Sequence, residues 1–422
     1  MQEKNKFDSD FKLNLIKSDQ QDVEITHFYD MNNYTNINFY IKDSSIVKSN
    51  CLYASSCGNC ALLNIKYETQ LKLKQQFLQK LFDKFNVKVE EPIGLYFPFK
   101  YRNKVHLSIA NEKGKTFIGF IQENTSKVTD IPYCLMHEKW FMVLYNELKN
   151  YISHSKITAY NKATYQGELR YAVARCINGN LMLTLVATKN IYNGLKQLYT
   201  SLLKYFKNVS LYININTTKT SAVFSDNFIH KFGKTTIQGN MCGIDFELSP
   251  KSFLQVNTQI ATKIYKKVGE ILNLSEGNNV IDCFSGIGIS SLIFAKSGAN
   301  VYSIEIEKNA CYDARNLAKS NNLSEKININ CGDCNILIPE LVNKVKDASL
   351  FVDPPRAGLG EQFINTIISS DIRKMVYLSC NPITLTKDLQ LLKQYYKIEQ
   401  VIPYDMFPHT KHIETMVTLT RK

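Results

Sequence analysis

The sequence predicts an α/β protein with a doubly wound, largely parallel sheet over residues 251–422 and an α+β body over residues 51–250. Three observations predict it. The 422 residues exceed the size of one ordinary domain. Beyond Pro250, short apolar runs of strand type alternate with helical patterns through to the last residues. Before Pro250, strand runs come in adjacent pairs across turn residues, with helical patterns beside them.

Composition narrows the class. Hydrophobic residues make up 44% of the chain, enough for sizeable cores. No apolar run reaches the length that crosses a bilayer, so no membrane span is expected. The start, "MQEKNKFDSDFK", is polar and lacks the apolar stretch of a secretory signal. A cytoplasmic protein is the expectation. In that compartment the 11 cysteines read as metal ligands, nucleophiles or core residues rather than disulfides. A net charge of +13, from 51 basic and 38 acidic residues, favours a polyanionic partner such as RNA.

Taken in order, residues 1–50 carry no clean period and receive no assignment. "CLYASSCGNC" then places Cys51, Cys57 and Cys60 in C-x5-C-x2-C spacing, with Cys134 far downstream in "DIPYCLMH". Three clustered thiols and a distant fourth suit a cubane iron-sulfur cluster; zinc more often shows two close pairs, and spacing alone leaves both open. Residues 61–85 have helical spacing, with Leu71, Phe77, Leu78, Leu81 and Phe82 on or near one face. Lys66, Lys72, Lys74 and Lys80 on the other face make either a solvated surface or an RNA-facing one. "RNKVHLSIAN" with "KTFIGFIQE", and "LRYAVARCI" with "LMLTLVAT", read as two hairpins across Glu-Lys-Gly and Asn-Gly-Asn.

The chemistry concentrates after Pro250. In "VIDCFSGIGISSLIFAKSGANVYSIEIE" a strand meets a glycine turn and a helix, and the next strand ends at Glu305. Glycines let the backbone approach a cofactor, and a carboxylate at the end of the second strand can take two ribose hydroxyls. A nicotinamide cofactor fits less well, since no third glycine follows Gly286 and Gly288 at the dinucleotide spacing. The loop is similar to that of class I (Rossmann-like) methyltransferases, which bind S-adenosylmethionine. "CGDC" at 331–334 has redox or metal spacing but falls where the third strand of such a fold ends, and there Asp333 would meet the adenine amine.

"FVDPPRAGL" and "VYLSCNP" decide the reaction type. Methylating an exocyclic amine needs no cysteine. Methylating C5 of a pyrimidine does, because C5 is a poor nucleophile. A thiolate adding to C6 turns C5 into an enolate-like carbon, and a base must later take the C5 proton. Cys380 stands at a strand end where Asn381-Pro382 forces the chain to turn. In "HTKHIETMVTL", Glu414 opens the last strand and is the candidate base, with His412 two residues before it as rival.

"LSPKSFLQVN", "DCFSGIG", "FVDPPRAGL", "LSCNP" and "HIETM", in this order, resemble the RNA uridine-C5 methyltransferase family over about residues 51–422. The resemblance implies Cys380 as nucleophile and Glu414 as proton-abstracting base. It sets Gln255, Phe284, Glu305, Asp333 and Asp353 around the methyl donor, with Gln255 and Asp353 also placed to meet the uracil. Ribosomal-RNA members carry a [4Fe-4S] cluster on the same cysteine pattern, which typical bacterial tRNA members lack. The resemblance therefore implies a cluster on Cys51, Cys57, Cys60 and Cys134, and 23S ribosomal RNA as substrate for a monomeric enzyme. The chain departs from the pattern in two places. Ile289 stands where relatives often carry a polar cofactor contact, and residues 1–50 lack the glycine-rich basic pattern of the RNA-gripping β-barrel in many ribosomal members. Methylation of tRNA uridine, of RNA cytosine at C5, or an inert iron-sulfur RNA-binding protein are the competing readings.

Overall fold

The computed structural model describes residues 14–17, 22–27, 37–112, 114–122, 125–220 and 222–422. The segment 1–50 received no assignment from its sequence. Where it is described, its backbone forms a three-stranded antiparallel meander, Asn14–Lys17, Asp22–His27 and Ile37–Lys42. The rest of that segment lies outside the described residues.

Both expected hairpins are present. Lys104–Glu112 pairs with Lys115–Ile121, and Leu169–Ile177 pairs with Asn180–Ala187, all antiparallel. They belong to one seven-stranded sheet, completed by Val128–Asp130, Asn208–Ile215 and Phe228–Gly233. Alternation along Lys104–Glu112 sends Val105, Leu107 and Ile109 into a core shared with the helices Trp140–Ser155 and Leu195–Leu202.

The C-terminal sheet also has seven strands. In chain order they are β1 (Asn279–Cys283), β2 (Asn300–Glu305), β3 (Ile327–Cys331), β4 (Ala348–Val352), β5 (Lys374–Ser379), β6 (Tyr396–Tyr404) and β7 (Glu414–Arg421), and they lie side by side as 3-2-1-4-5-7-6. The first five are parallel, as strand-helix alternation requires. β7 is the exception: it runs antiparallel to both β5 and β6. The link from β6 to β7 is too short for a parallel crossover, so the chain folds back on itself. The consequence is that β7 starts at the edge where β5 ends.

The helix expected over 61–85 spans Tyr67–Phe82. Its apolar residues Leu73, Phe77, Leu78 and Phe82 enter the same core as Ile281, Leu350 and Tyr377 of the C-terminal sheet. Its cationic face differs from the expectation. Lys66, Lys72 and Lys80 are exposed, but Lys74 is buried and its Nζ donates to Asp405 Oδ1 at 2.6 Å. A buried ammonium survives only with a counter-charge, and Asp405, just past β6, supplies it. Lys74 thus docks the helix onto the C-terminal sheet and is withdrawn from any RNA surface.

Candidate active site

Cys380 follows β5 directly, and its turn is braced from both sides. Asn381 caps the helix Pro382–Leu392 by accepting from the Ile383 N–H at 3.2 Å. Ser379 Oγ donates to the Asn381 carbonyl at 3.0 Å and accepts from its N–H at 3.1 Å. Asn381 Nδ2 and Thr384 Oγ1 each donate to the Arg356 carbonyl at 3.0 Å. Those bonds tie the Asp-Pro-Pro-Arg loop after β4 to the cysteine turn.

The antiparallel β7 brings the second group. Leu378 pairs with Met416 and Ser379 with Thr415, the last pair of the ladder; Cys380 and Glu414 are the next residues on either side, and the two are electrostatic neighbours. Glu414 is 4% exposed. Burial, then the Asp353 carboxylate, push its carboxyl up to about 8, against the opposing pull of Arg356. Asp353 is itself pushed up to about 7, by burial and by Asp282. Burial, with Glu414 and Asp353, pushes the Cys380 thiol up to about 12, while Arg356 draws it down. Two acids held near neutrality around one thiol, with one guanidinium, suit a site that moves protons. His412 lines the same cavity, its ring 5.8 Å from that of Phe407.

The cofactor end is built by the turn after β1. Phe284 adopts a φ of 64°, a left-handed conformation that is costly for an aromatic residue and therefore marks a functional turn. Gly286 has φ 56° with open space where a side chain would stand, so its backbone is accessible to a ligand. Glu305, at the end of β2, accepts from the Gly286 N–H and the Glu307 N–H, each at 2.8 Å. It is thereby locked at the mouth of the turn. Asp333 caps the helix Cys334–Lys344 through the Asn335 N–H at 2.8 Å. Asp282 accepts from Ser290 and Ser291 on one oxygen, while its other oxygen is buried and unpartnered. The sequence reading missed Asp282, although it stands in the quoted "DCF". These residues fit a nucleoside sulfonium: a carboxylate for ribose hydroxyls, an acidic cap for an amine, and an open glycine turn between them.

All eleven residues singled out from the sequence line one cavity of about 1820 Å³. Cys380, Glu414, Asp353, Gln255, Phe284, Glu305 and Asp333 lie around its C-terminal half, and Cys51, Cys57, Cys60 and Cys134 on the wall of the body. The Gln255 carbonyl accepts from Asn103 Nδ2 at 3.0 Å, bridging the two halves. The four thiols neighbour one another electrostatically, and burial pushes Cys134 up to about 11. Among the described residues, however, no group of three His, Cys, Asp or Glu side chains is placed to hold a metal ion. The four thiols are thus not gathered around a single ion position in this structure. The Cys-x-x-Cys of 331–334 is also not a paired site: Cys331 is exposed and neighbours Cys311, whereas Cys334 is buried and neighbours Cys283.

A family model described as tRNA (Uracil-5-)-methyltransferase matches residues 66–331 and 340–422. The chain belongs to this family. It is an S-adenosylmethionine-dependent RNA methyltransferase with a Rossmann-like catalytic sheet. An uncharacterized RNA methyltransferase of Listeria innocua is 33% identical over 392 residues, covering 91% of this chain and 86% of that one. One of Bacillus cereus is 32% identical, covering 88% and 82%. Among solved structures, the Pyrococcus abyssi tRNA (uracil-54, C5)-methyltransferase, crystallised with S-adenosyl-L-homocysteine, superposes with a TM-score of 0.75 at 27% identity. That superposition covers 94% of this chain and 92% of the archaeal one. Among the described residues no helix of this family member is long and apolar enough to cross a membrane.

Proposed function

We propose that this methyltransferase converts uridine to 5-methyluridine in RNA, with 23S ribosomal RNA as substrate, through a covalent bond between Cys380 and C6 of the base. The observation that carries the reading is that Cys380 and Glu414, just past the last paired residues Ser379 and Thr415 of β5 and β7, are electrostatic neighbours on one cavity.

The Cys380 sulfur adds to C6, and the electrons of the C5=C6 bond move toward C5 and O4. The thiol proton passes to the Asp353 carboxylate, which then no longer opposes the thiolate that Arg356 favours, and Glu414 stays ionised for the later step. S-adenosylmethionine, when bound, supplies a methyl group from its sulfonium, and the neutral thioether is the leaving group. Glu305, Phe284, Asp333, Gln255 and Asp353 would hold it with the Gly286 turn, and Gln255 and Asp353 would also meet the uracil. After methylation, Glu414 takes the proton from C5; the C5=C6 bond re-forms and the C6–S bond breaks. Burial around these groups excludes water that would otherwise protonate the enolate-like carbon.

Residues 251–422 form the catalytic domain in this reading and residues 51–250 the RNA-binding body, with the helix Tyr67–Phe82 docked across the boundary. We assign Cys51, Cys57, Cys60 and Cys134 as ligands of a [4Fe-4S] cluster. Each thiolate of a cubane meets a different iron, so its ligands stand farther apart than the ligands of one ion. Four thiols on one cavity wall accord with that arrangement. The role is structural or RNA-contacting, since methyl transfer moves no unpaired electron. Anaerobic purification should yield brown protein with iron and sulfide in stoichiometric amount; colourless protein holding one zinc ion would reject the cluster.

The enzyme is read as a cytoplasmic monomer. The archaeal relative acts on tRNA, which favours transfer RNA as the second reading. Mapping 5-methyluridine in ribosomal and transfer RNA from a deletion strain separates the two. Loss of a 23S site is the expected result, and loss confined to tRNA would overturn the ribosomal assignment.

A further inference from the structure

The wall of the cavity facing Cys380 carries a second built feature. Along Lys104–Glu112, Lys104, His106 and Ser108 alternate with the core residues Val105, Leu107 and Ile109, and all three line the cavity. Arg175 sits opposite Lys104 in the antiparallel register, so its side chain shares that face. Arg175 is 5% exposed. Its Nη1 donates to the Ser252 carbonyl at 3.1 Å, and its buried Nε has no partner among the described residues. Ion pairs among the described residues involve other groups, so no carboxylate balances Lys104 or Arg175. Asp226, on the same cavity, is taken by Lys251 at 2.7 Å. The consequence is visible in their electrostatics. Burial and then Arg175 pull Lys104 down to about 8, and burial with Lys104, Arg102 and Arg175 pulls His106 down to about 4. A buried guanidinium without a counter-charge, with a half-buried ammonium beside it, is costly to keep, which points to a ligand that brings one.

We propose that Lys104, His106 and Arg175 form an anion subsite whose ligand is a backbone phosphate of the RNA strand entering the cavity. The inference rests on the reading that RNA reaches Cys380 through this cavity. A uracil turned into the site brings its own ribose and flanking phosphates with it. A phosphate offers several acceptor oxygens, which meet the point charge of Lys104 and the guanidinium fork of Arg175 together. The methyl donor also carries a carboxylate. But the donor turn, Glu305 and Asp333 belong to the C-terminal sheet, whereas this cluster is on the body, with Gln255 between them.

The test measures binding of a short oligouridylate to the full chain as a function of salt, with S-adenosylhomocysteine affinity measured in parallel. Lys104→Gln should weaken oligouridylate binding about tenfold. It should also lower the log-log salt slope by about 0.7, one phosphate's share in a single strand. S-adenosylhomocysteine affinity should stay unchanged. Lys344→Gln, exposed at the C-terminal end of the helix Cys334–Lys344, should leave the slope alone. Arg175→Gln should match Lys104→Gln, and the double variant should lose no more slope than either, because both serve one phosphate. Should Arg175→Gln fail to fold, Lys104→Gln and His106→Gln decide the matter. An unchanged slope in Lys104→Gln overturns the subsite. So does a parallel loss of S-adenosylhomocysteine affinity, which would reassign the cluster to the donor's carboxylate. Binding requires no turnover, so a failure of uridine methylation would be seen separately in the wild-type activity.

Discussion

Cys380→Ala should abolish methyl transfer to RNA, a loss on the order of 10⁴-fold or more, as for removal of a covalent nucleophile. Its affinity for S-adenosylhomocysteine should survive, because the Gly286 turn, Glu305 and Asp333 are held by bonds that do not involve the thiol. The sharper readout is covalent. With methyl donor and 5-fluorouridine-substituted RNA, the wild type should form an adduct that persists on denaturing gels, since fluorine at C5 cannot leave as a proton. An equal yield of adduct from Cys380→Ala would remove the cysteine from the mechanism. The thiol of the free protein is pushed up to about 12 by burial and by Glu414 and Asp353. Adduct formation should therefore quicken as pH rises, in single-turnover measurements with saturating RNA.

Glu414→Gln should separate two steps that Cys380→Ala merges. Thiol addition and methyl transfer do not need the base, and final elimination does. The variant should accumulate methylated RNA bonded to Cys380 with ordinary uridine, and mass spectrometry of single-turnover mixtures detects that species. A group that only held the donor would, on substitution, form little methylated adduct. His412 is the rival base, and its ordinary pKa of about 6.5 suits proton transfer at neutral pH. If His412→Ala accumulates the adduct while Glu414→Gln turns over normally, the roles are reversed. The pH profile adds a second readout. A base works deprotonated, so elimination should rise with pH and level off above about 8, where burial and Asp353 have moved Glu414.

The same shift predicts a stability change. The native carboxyl holds its proton up to about 8, whereas the ordinary value is 4.5. Between those values the native state binds the extra proton, so wild-type stability falls as pH rises through this window. One such group gives a slope on the order of 1.4 kcal/mol per pH unit. Glu414→Gln should lack that slope and unfold at higher temperature than wild type at pH above about 8. It should gain nothing below the ordinary carboxyl value. Thermal unfolding across pH checks both, and shows that the variant is folded where its adduct is measured.

The sequence by itself determined what local patterning encodes. Strand-helix alternation placed five parallel strands, and turn residues at their ends placed Phe284, Glu305, Asp333, Asp353 and Cys380 at one edge. In a parallel sheet every strand ends on the same side, so residues at strand ends meet whatever the crossings do. The two hairpins were legible for the same reason: period-two apolar residues and an Asn-Gly turn are local signals. Only the tertiary structure decided the rest, because each remaining feature depends on contacts between segments far apart in the chain. The fold-back of β7 brought Glu414 beside Cys380, and burial pushes both groups up. Asp405 drew Lys74 out of the lysine face of a helix whose periodicity marked it as surface. The pairing of Lys104 with Arg175, 71 residues apart, gathered unbalanced cations on a wall that neither strand's own pattern distinguishes. Cross-strand register and desolvation are properties of packed neighbours, and no single stretch of sequence carries them.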